Sequence, residues 1–518
     1  MNKTPLRALL FLAASLLPLG LLAQEAEYRY DDATQLWRLT DNAAGLSLDS
    51  TQNRGYAELQ AEHREGDYRR VQQGGQRNQL QLFTERYQRV GEYLVGYGRF
   101  LFGMDRTKDR AWADELRPYN SNPFISGSSV SGKYDTQDFD MTAAIATNKE
   151  FVENFLMGLR LDYQVGDLSR LRDPRSRSQL LDYRIGPSFV YTIGQEGRHH
   201  AGLSGYYQRR KEKVPSITTV QTDPNLKYYQ MTGLEQATGI VGGYSGFNRE
   251  WVMERGVLEL QYGYKGPRLN SVTTLGLTSG TEHVYGTYKY EPGLYRELVL
   301  SASARNRISA GRLLHEIDLG VSLTQAYADE YRQQLLQERD AEHGYTSYSY
   351  ETLIEYKKRY QSKLFDATLR YRANLVDPER QLTDGYLGLS MQLATVSNKH
   401  LLPQSQLKYD HLDVQAEGGY SWLHHRLWLD LSGGYHAATR ASMQLADPTT
   451  DYAQQVLLPD MSYYRANYWQ GHAQLKYLFP LSIKGHRSTF FAKLYGSYLH
   501  TDNDLSRQTI GIGFGIYN

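Results

Sequence analysis

The chain has 518 residues, among them 58 Lys and Arg and 57 Asp and Glu, which leaves a net charge of +1, and it contains no Cys. A balanced charge lacks the basic surface by which proteins bind nucleic acids, so no nucleic-acid partner is expected. Without Cys, disulfides, thiolate metal ligands and a cysteine nucleophile are excluded. The mean hydropathy is −0.59 and no long apolar run follows residue 24, which excludes a helical membrane protein.

The N-terminus has the composition of an export signal. Lys3 and Arg7 precede an apolar stretch over residues 8–22, and the small residue Ala23 follows. At about 15 residues the stretch is shorter than the roughly 20 that a membrane-spanning helix needs, which favours a cleaved signal peptide over residues 1–23 and not a retained anchor. Residues 24–54 lack strong alternation, and we interpret them as a periplasmic N-terminal segment, too short for a plug domain like that of the large energy-coupled transporters.

From residue 55 onward, many segments alternate between apolar and polar side chains, as strands with two different faces do. The clearest cases lie at residues 313–323, 365–371, 412–416, 427–431 and 509–517. The second face carries ionisable residues such as Glu316, Asp366 and Asp430, and Trp428 is an apolar exception in its strand. Ionised groups cannot all lie unpaired in a dry core, so we expect this face to be hydrated.

Connection lengths distinguish a membrane barrel from a soluble sandwich of two sheets. When alternate connections are assigned to opposite ends, one end receives the long segments, roughly 104–134, 210–252, 327–359 and 438–465. The other end receives short turns, at roughly 88–91, 148–152, 194–198, 265–268, 307–311, 376–385, 421–424 and 480–485. Short periplasmic turns and long extracellular loops are typical of outer-membrane barrels, and the 43 Tyr residues suit their aromatic girdles.

We therefore predict an all-β fold, a transmembrane antiparallel β-barrel formed by residues 55–518. Its strands number about 18, within a range of roughly 14 to 20. Inside the long segment 327–359, residues 345–359 are expected to prolong the wall as a hairpin. The long segments 210–252 and 327–359 are also long enough to fold inward.

The run "GYGRFLFGMDRTKDRAWADELRPYN" from Gly96, with the later "GKYDTQDFDMTAAIAT", resembles a family of Bacteroidota outer-membrane barrel proteins of unknown function. The "LLAQ" processing site is similar to signal peptides of that group. The resemblance is specific around residues 92–147 and loose elsewhere. It implies a barrel in the cell outer membrane and no catalytic residue. The C-terminus departs from the usual terminal aromatic, because Tyr517 is followed by Asn518, and we expect the barrel assembly machinery to recognise the penultimate residue.

Thirteen side chains on the predicted inner face are candidates for lining a pore. They are Glu259, Glu316, Asp318, Asp366, Arg370, Arg372, His411, Asp413, Glu417, Asp430, His472, Lys476 and Lys493. The alternative is that they pair across neighbouring strands and brace the lumen. Their mixed signs argue against strong selectivity for cations or anions.

Two further groups of residues have functional and structural interpretations. The pairs His199–His200 and His424–His425 could each be half of a metal site, but polar turns explain them better, because ligation needs several convergent ligands. No metal or cofactor is predicted. Aromatic residues in the long loops could stack on sugars, hold a partner lipoprotein or close the mouth. They are Trp112, Tyr119, Tyr228, Tyr229, Tyr244, Trp251, Tyr345, Tyr348, Tyr350, Tyr452, Tyr463 and Tyr464.

The leading functional hypothesis is an outer-membrane barrel of the transport or porin class. It would pass small solutes or form the membrane half of an uptake system that works with a surface lipoprotein. The alternative is a plugged barrel that serves as a binding or assembly scaffold for a surface lipoprotein or secretion component. A surface hydrolase is a third hypothesis, but His411 and His472 are predicted to face the lumen, so we expect no enzymatic activity.

Overall fold

Antiparallel strands dominate the computed structural model, which describes residues 24–49, 53–119, 121–148, 152–220, 226–241, 247–339, 342–483 and 486–517. The strands of these residues are β1 (Arg54–Gly66), β2 (Gln76–Val90), β3 (Leu94–Arg110), β4 (Ser126–Ser128), β5 (Gly132–Thr147), β6 (Phe155–Arg170), β7 (Arg175–Ile193), β8 (His199–Val214), β9 (Ile217–Thr218), β10 (Lys227–Gly233), β11 (Gln236–Val241), β12 (Arg249–Lys265), β13 (Leu269–Gly286), β14 (Gly293–Ala310), β15 (Leu313–Arg339), β16 (Thr346–Asp377), β17 (Leu382–His400), β18 (Ser405–Trp422), β19 (Leu427–Gln444), β20 (Tyr468–Ile483), β21 (His486–Thr501) and β22 (Ser506–Tyr517). The helices are α1 (Gln24–Thr34) and α2 (Leu458–Arg465), with a π-helical turn at Ala453–Leu457 and 3₁₀ turns at Trp37–Leu39, Ala43–Ser47, Val71–Gln73 and Thr287–Lys289.

Eighteen of these strands form a closed wall. Strands β1–β3, β5–β8 and β12–β22 each pair antiparallel with the next wall strand, and β1 also pairs with β22. At this seam Leu59 of β1 lies opposite Phe514 of β22. The prediction of an antiparallel β-barrel with about 18 strands is confirmed.

The outer face of the wall is apolar, as the alternation predicts. In β22, Ile510 and Phe514 are 58% and 59% exposed. Each is followed by a glycine, Gly511 or Gly515, which leaves room on the inner face for the ring of Tyr495 or Phe491. Large apolar side chains are exposed on strand after strand, including Leu59, Leu80, Leu159, Leu203, Leu260, Leu275, Leu300, Leu319, Leu369, Leu387, Leu431, Leu475 and Leu494. A continuous apolar band is costly in water and is stable against hydrocarbon, so it defines a surface that faces lipid.

The connections differ at the two ends as predicted. The short-turn end has connections at 91–93, 194–198, 266–268, 311–312, 378–381 and 423–426. The opposite end, called the loop end, carries the long connections 111–131, 215–248 and 445–467. No helix in the described part of the chain has the length and apolar content to span a membrane.

The predicted long loop 327–359 is instead a projecting hairpin. Strands β15 and β16 stay paired to the register Arg339↔Thr346, well beyond Gly293 and His400, where the flanking strands end their pairing with them. The segment is long enough to fold inward, but its described residues do not, because paired backbone extends them beyond the wall. The expectation that residues 345–359 prolong the wall as a hairpin is confirmed.

Residues 24–49, here called the inner segment, lie within the wall at the short-turn end. Helix α1 and the 3₁₀ turns that follow it bury Ala26, Trp37 and Leu46 against inward side chains of the wall. Contacts extend around most of the ring, from Tyr87 of β2 to Tyr517 of β22. The sequence was interpreted as having a periplasmic N-terminal segment at residues 24–54 and gave no indication that this segment enters the barrel.

The loop end is covered by the loop cap, defined as residues 111–119, 121–131, 226–241 and 445–466. Strands β4, β10 and β11 form a small sheet of their own. The ring centroid of Trp112 lies 4.4 Å from that of Tyr229 and 5.3 Å from that of Tyr452. The buried apolar side chains of the molecule are thus concentrated at its two ends, and the middle of the lumen is polar.

Candidate functional site

A polar chamber lies in the lumen beyond the inner segment. It consists of two adjoining cavities of about 550 and 340 Å³. Both are lined by Leu39, Ser303, Arg305, Gly320 and Thr368. Cavities of a few hundred Å³ with a few polar groups are the usual size of small-molecule sites in proteins.

Five of the thirteen predicted pore-lining residues face this chamber. Asp318, Arg370 and Asp413 line the larger cavity, and Glu259 and Asp366 line the smaller one. Their convergence follows from the strand period, because every second residue of β12, β15, β16 and β18 points inward. Pore lining itself remains a prediction for these residues.

The other predicted residues take part in ion pairs and ring contacts along the inner face. Glu417 accepts hydrogen bonds from both Arg370 and Arg372, and Glu316 pairs with Arg307 at 3.1 Å. The ring of His411 lies 4.9 Å from that of His436. The remaining residues contact the inner segment or neighbouring strands: Asp430 (Arg29), Lys476 (Glu25), Lys493 (Glu58) and His472 (Tyr495). The alternative that these groups brace the lumen therefore describes most of them.

Ion pairs attach the inner segment to the wall at several points. Arg29 donates two hydrogen bonds of 2.8 Å to Asp430 of β19. Glu25 accepts one of 2.8 Å from Lys476 of β20. Burial alone would raise the pKa of Glu25, but Lys476 and Arg29 together hold it well below its ordinary value. The carboxylate is therefore ionised, and the helix is held by charge-assisted bonds.

A second attachment lies at the end of the inner segment that meets the chamber. Asp41 accepts 2.7 Å and 3.3 Å contacts from Arg184 and Arg160 of the wall. Next to it, Asn42 donates a 3.0 Å hydrogen bond to Gln261. These bonds fix the backbone at residues 39–41, which forms the floor of the chamber.

Apolar contacts complete the fit of the inner segment. The Arg29 guanidinium lies 4.2 Å from the ring centroid of Trp428, which is fully buried. A Cβ on Gly263 would lie 2.6 Å from the ring of Trp37, so only a glycine admits that ring. Sequence reasoning missed this docking surface, although Trp428 on an otherwise polar face was the signal that could have revealed it.

The aromatic loop residues fall into two groups, those buried in the loop cap and those exposed on the hairpin of β15 and β16. Trp112, Tyr228, Tyr229, Trp251 and Tyr452 are buried and pack the loop cap, which supports closure of the mouth. In contrast, Tyr345 and Tyr348 are exposed on the projecting hairpin. Tyr244 lies outside the described residues.

The loop cap also contains carboxyl groups with raised pKa values. Burial, with the nearby acids Glu212 and Asp114, raises the pKa of Glu115 to about 8. Burial raises that of Asp460 to about 7, although the backbone N–H of Val71 donates to it. Both groups are therefore at least partly protonated near neutral pH, and we expect their ionisation at higher pH to weaken the cap.

The two rings of the pair His199–His200 lie on opposite faces of the wall. His199 is exposed and contacts Tyr262 outside, whereas His200 points inward against Trp37. In the described residues, no cluster of three or more His, Cys, Asp or Glu side chains is arranged to hold a metal ion.

A Ser–His–Asp contact occurs at the short-turn end, formed by Ser421, His425 and Asp384. The Nδ1 atom of His425 is 3.0 Å from the Ser421 hydroxyl oxygen, and its Nε2 is 3.6 Å from an Asp384 carboxylate oxygen. However, the hydroxyl donates its hydrogen to the backbone oxygen of Asp384 at 2.9 Å, and Ser421 is buried on the inner face. This geometry does not activate the serine as a nucleophile.

The fold and the lumen define a closed β-barrel of eighteen strands, with an apolar exterior, an internal N-terminal segment and a polar chamber. The chain belongs to a family of unknown function, DUF6850, which it matches over residues 43–518. This confirms the prediction of a barrel family whose function is not established. No curated protein matches the chain.

Several solved outer-membrane proteins are similar in structure. The ferric yersiniabactin uptake receptor FyuA from Yersinia pestis is 9% identical with a TM-score of 0.40, covering 90% of this chain and 81% of that one. The FrpB iron transporter from Neisseria meningitidis is 8% identical with a TM-score of 0.41, covering 92% and 83%. The outer membrane protein OpdK from Pseudomonas aeruginosa is 9% identical with a TM-score of 0.36, covering 90% and 99%. Because these TM-scores lie below 0.5, no functional conclusion follows from them.

Proposed function

We propose that this protein is a transport barrel of the cell outer membrane that passes small polar solutes through its chamber. In this proposal the inner segment is a plug that moves aside during passage. The observation that carries the proposal is the polar chamber itself, whose floor is a short segment held by ion pairs and apolar contacts and not by pairing with the strands of the wall. Such pairs can break and re-form without unfolding the wall.

Occlusion at both ends argues against a constantly open pore. Among the described residues, the inner segment covers the short-turn end, and the loop cap packs over the loop end around Phe124, Tyr360 and Leu407. The wall is wide enough for an aqueous passage, since barrels of 16 to 18 strands leave one in porins. A gated passage therefore fits the geometry better than a passive one.

Single-channel recording in planar bilayers tests the proposal. The unaltered protein is expected to remain mostly closed, and Arg29→Gln to give frequent openings, because it weakens the attachment of α1 to Asp430. Arg312→Gln is the matched control, since Arg312 pairs with Asp384 at the same end but does not contact the inner segment. Complete closure of both variants at every voltage would argue against transport through this lumen.

The same proposal includes the environment of the protein. Residues 1–23, which lie outside the described residues, would direct export, and the short-turn end would face the periplasm. Outer-membrane lipids would contact the apolar band, the barrel assembly machinery would insert the chain, and a surface lipoprotein would assist uptake. Separation of outer from inner membranes on a density gradient, followed by immunodetection, tests the location.

A binding or assembly scaffold is the second candidate function. The hairpin of β15 and β16 favours it, because its residues 331–339 and 342–356 project beyond the wall with Tyr345, Tyr348 and Leu353 exposed. A scaffold predicts a stoichiometric lipoprotein or secretion component after affinity purification from native membranes. Shortening the hairpin would then remove that partner without changing conductance.

A further inference from the structure

One chamber arginine differs from its neighbours in lacking a counter-ion. Arg305 and Arg307 both point inward from β14. Arg307 is engaged by Glu316 and Asp318 and donates to the backbone oxygen of Ala33. In contrast, Arg305 makes no hydrogen bond or ion pair with any described residue, although it lines both cavities.

Two chamber carboxylates have only neutral partners. Glu259 accepts contacts of 3.3 Å from Ser204 and 3.2 Å from Gln261. Asp366 accepts a 2.5 Å hydrogen bond from the side-chain amide of Gln392. Neither has an ion pair among the described residues.

Each of the other charged groups of the chamber contacts a side chain of opposite charge or a His. Asp41 is paired with Arg160 and Arg184, Asp318 with Arg307, and Arg370 with Glu417. Asp413 contacts the rings of His411 and His436. After these pairs are set aside, one guanidinium and two carboxylates remain, and all three line the smaller cavity.

We propose that the chamber binds a small zwitterion, an α-amino acid or a short peptide with free termini. Its carboxylate pairs with Arg305, and its ammonium group pairs with Glu259 and Asp366. A simple anion could pair only with the guanidinium, and a simple cation could pair only with the carboxylates. A molecule that carries both charges can pair with Arg305 and place its ammonium group between the two carboxylates.

The size of the chamber agrees with this ligand class. The smaller cavity of about 340 Å³ holds roughly ten waters at the liquid volume of one water molecule, which suits a molecule of that class. Ser301, Ser303 and Thr274 add hydroxyl groups to its lining, and these can bond to peptide groups. The inference rests on the proposed function in that the chamber must be reached from outside.

Isothermal titration calorimetry on the full chain in detergent, with dialanine as the probe, tests the inference. Saturable binding of dialanine is expected for the unaltered protein. If the inner segment keeps the probe out of the chamber, binding is expected for Arg29→Gln, in which that segment is loosened. Loss of a charge-assisted contact typically weakens binding by about tenfold to a hundredfold. Arg305→Gln is therefore expected to weaken dialanine binding by at least about tenfold, and Arg106→Gln, at an exposed pair with Asp135, to leave it unchanged.

Blocked probes identify which charge each residue recognises. Dialanine amide lacks the carboxylate, so its binding should be weak and insensitive to Arg305→Gln. N-acetyl-dialanine lacks the ammonium group, so its binding should be weak and insensitive to Glu259→Gln. Equal affinity for dialanine and N-acetyl-dialanine would show an anion site and overturn the zwitterion proposal. The absence of dialanine binding to both the unaltered protein and Arg29→Gln would also overturn it. Because binding is measured without flux, dialanine binding in a barrel that conducts nothing would separate this inference from the transport proposal.

Discussion

Arg29→Gln is expected to release the inner segment while the wall stays folded. Arg29 donates two 2.8 Å hydrogen bonds to Asp430 and one to Glu25, and its guanidinium lies over the ring of Trp428. Hydrogen bonds to charged partners contribute about 1.5–3 kcal/mol each and are not additive. Asp430 keeps donors from Tyr386 and Gln474, which limits the penalty on the carboxylate left behind. We therefore expect a loss of about 3 kcal/mol, which is roughly a hundredfold change in the docking equilibrium.

Hydrogen exchange followed by mass spectrometry measures this equilibrium directly. Amides of α1, and that of Gln35 directly after it, which donates to Asp31 at 2.8 Å, should exchange about a hundredfold faster in the variant, whereas wall amides should not change. Arg312→Gln removes an exposed pair, worth about 1 kcal/mol or less, and should alter α1 exchange by less than about fivefold. The reasoning is refuted if α1 remains as protected in Arg29→Gln as in that control, or if the wall loses protection in parallel.

Three further changes probe the cap, the plug surface and the lipid face. Because the pKa of Glu115 is raised from 4.5 to about 8, its protonated form stabilises the cap fully below pH 4.5, and this contribution is lost between about pH 4.5 and pH 8. Protease cleavage of the cap should therefore increase over this range and level off above pH 8, and Glu115→Gln should flatten the profile. Gly263→Leu should expel the ring of Trp37 and cost about 1–3 kcal/mol of plug docking, whereas Gly256→Leu on the same strand, where nothing lies within 4 Å, should leave α1 exchange unaltered. Leu260→Arg places a charge on the apolar outer face and should lower folding stability in vesicles, measured by urea unfolding, by about 2–4 kcal/mol. A urea midpoint equal to that of Leu260→Ala would contradict the assignment of that face to lipid.

The wall could be predicted from the sequence because its signals are local. Alternation in β22 and β19 depends only on neighbouring residues, and the connection lengths then fix the end to which each turn belongs. The hairpin of residues 327–359 was partly mistaken for a loop, since its polar and aromatic residues show no lipid-facing pattern once the strands leave the membrane. What makes it a strand is pairing between β15 and β16, and not burial.

The position of the inner segment and the pattern of ion pairs in the chamber could not be predicted, because both depend on contacts between distant parts of the chain. Arg29 and Asp430 are 401 residues apart, and the composition of α1 does not reveal its partner. Similarly, Arg305 and Arg307 lie two positions apart on the same face, opposite Asp318 and Glu316 respectively. Only the geometry reveals that Arg307 takes both acids and leaves Arg305 without one.

The position of the inner segment determines the order in which parts of the protein can assemble. The inner segment precedes β1, so it is made before the wall, yet its contacts reach Leu314 in β15, Leu382 in β17 and Tyr517 in β22. These surfaces come together only when the strands from β1 to β22 have met at the seam. A segment that is synthesised before the wall can therefore complete its contacts only after the wall has closed.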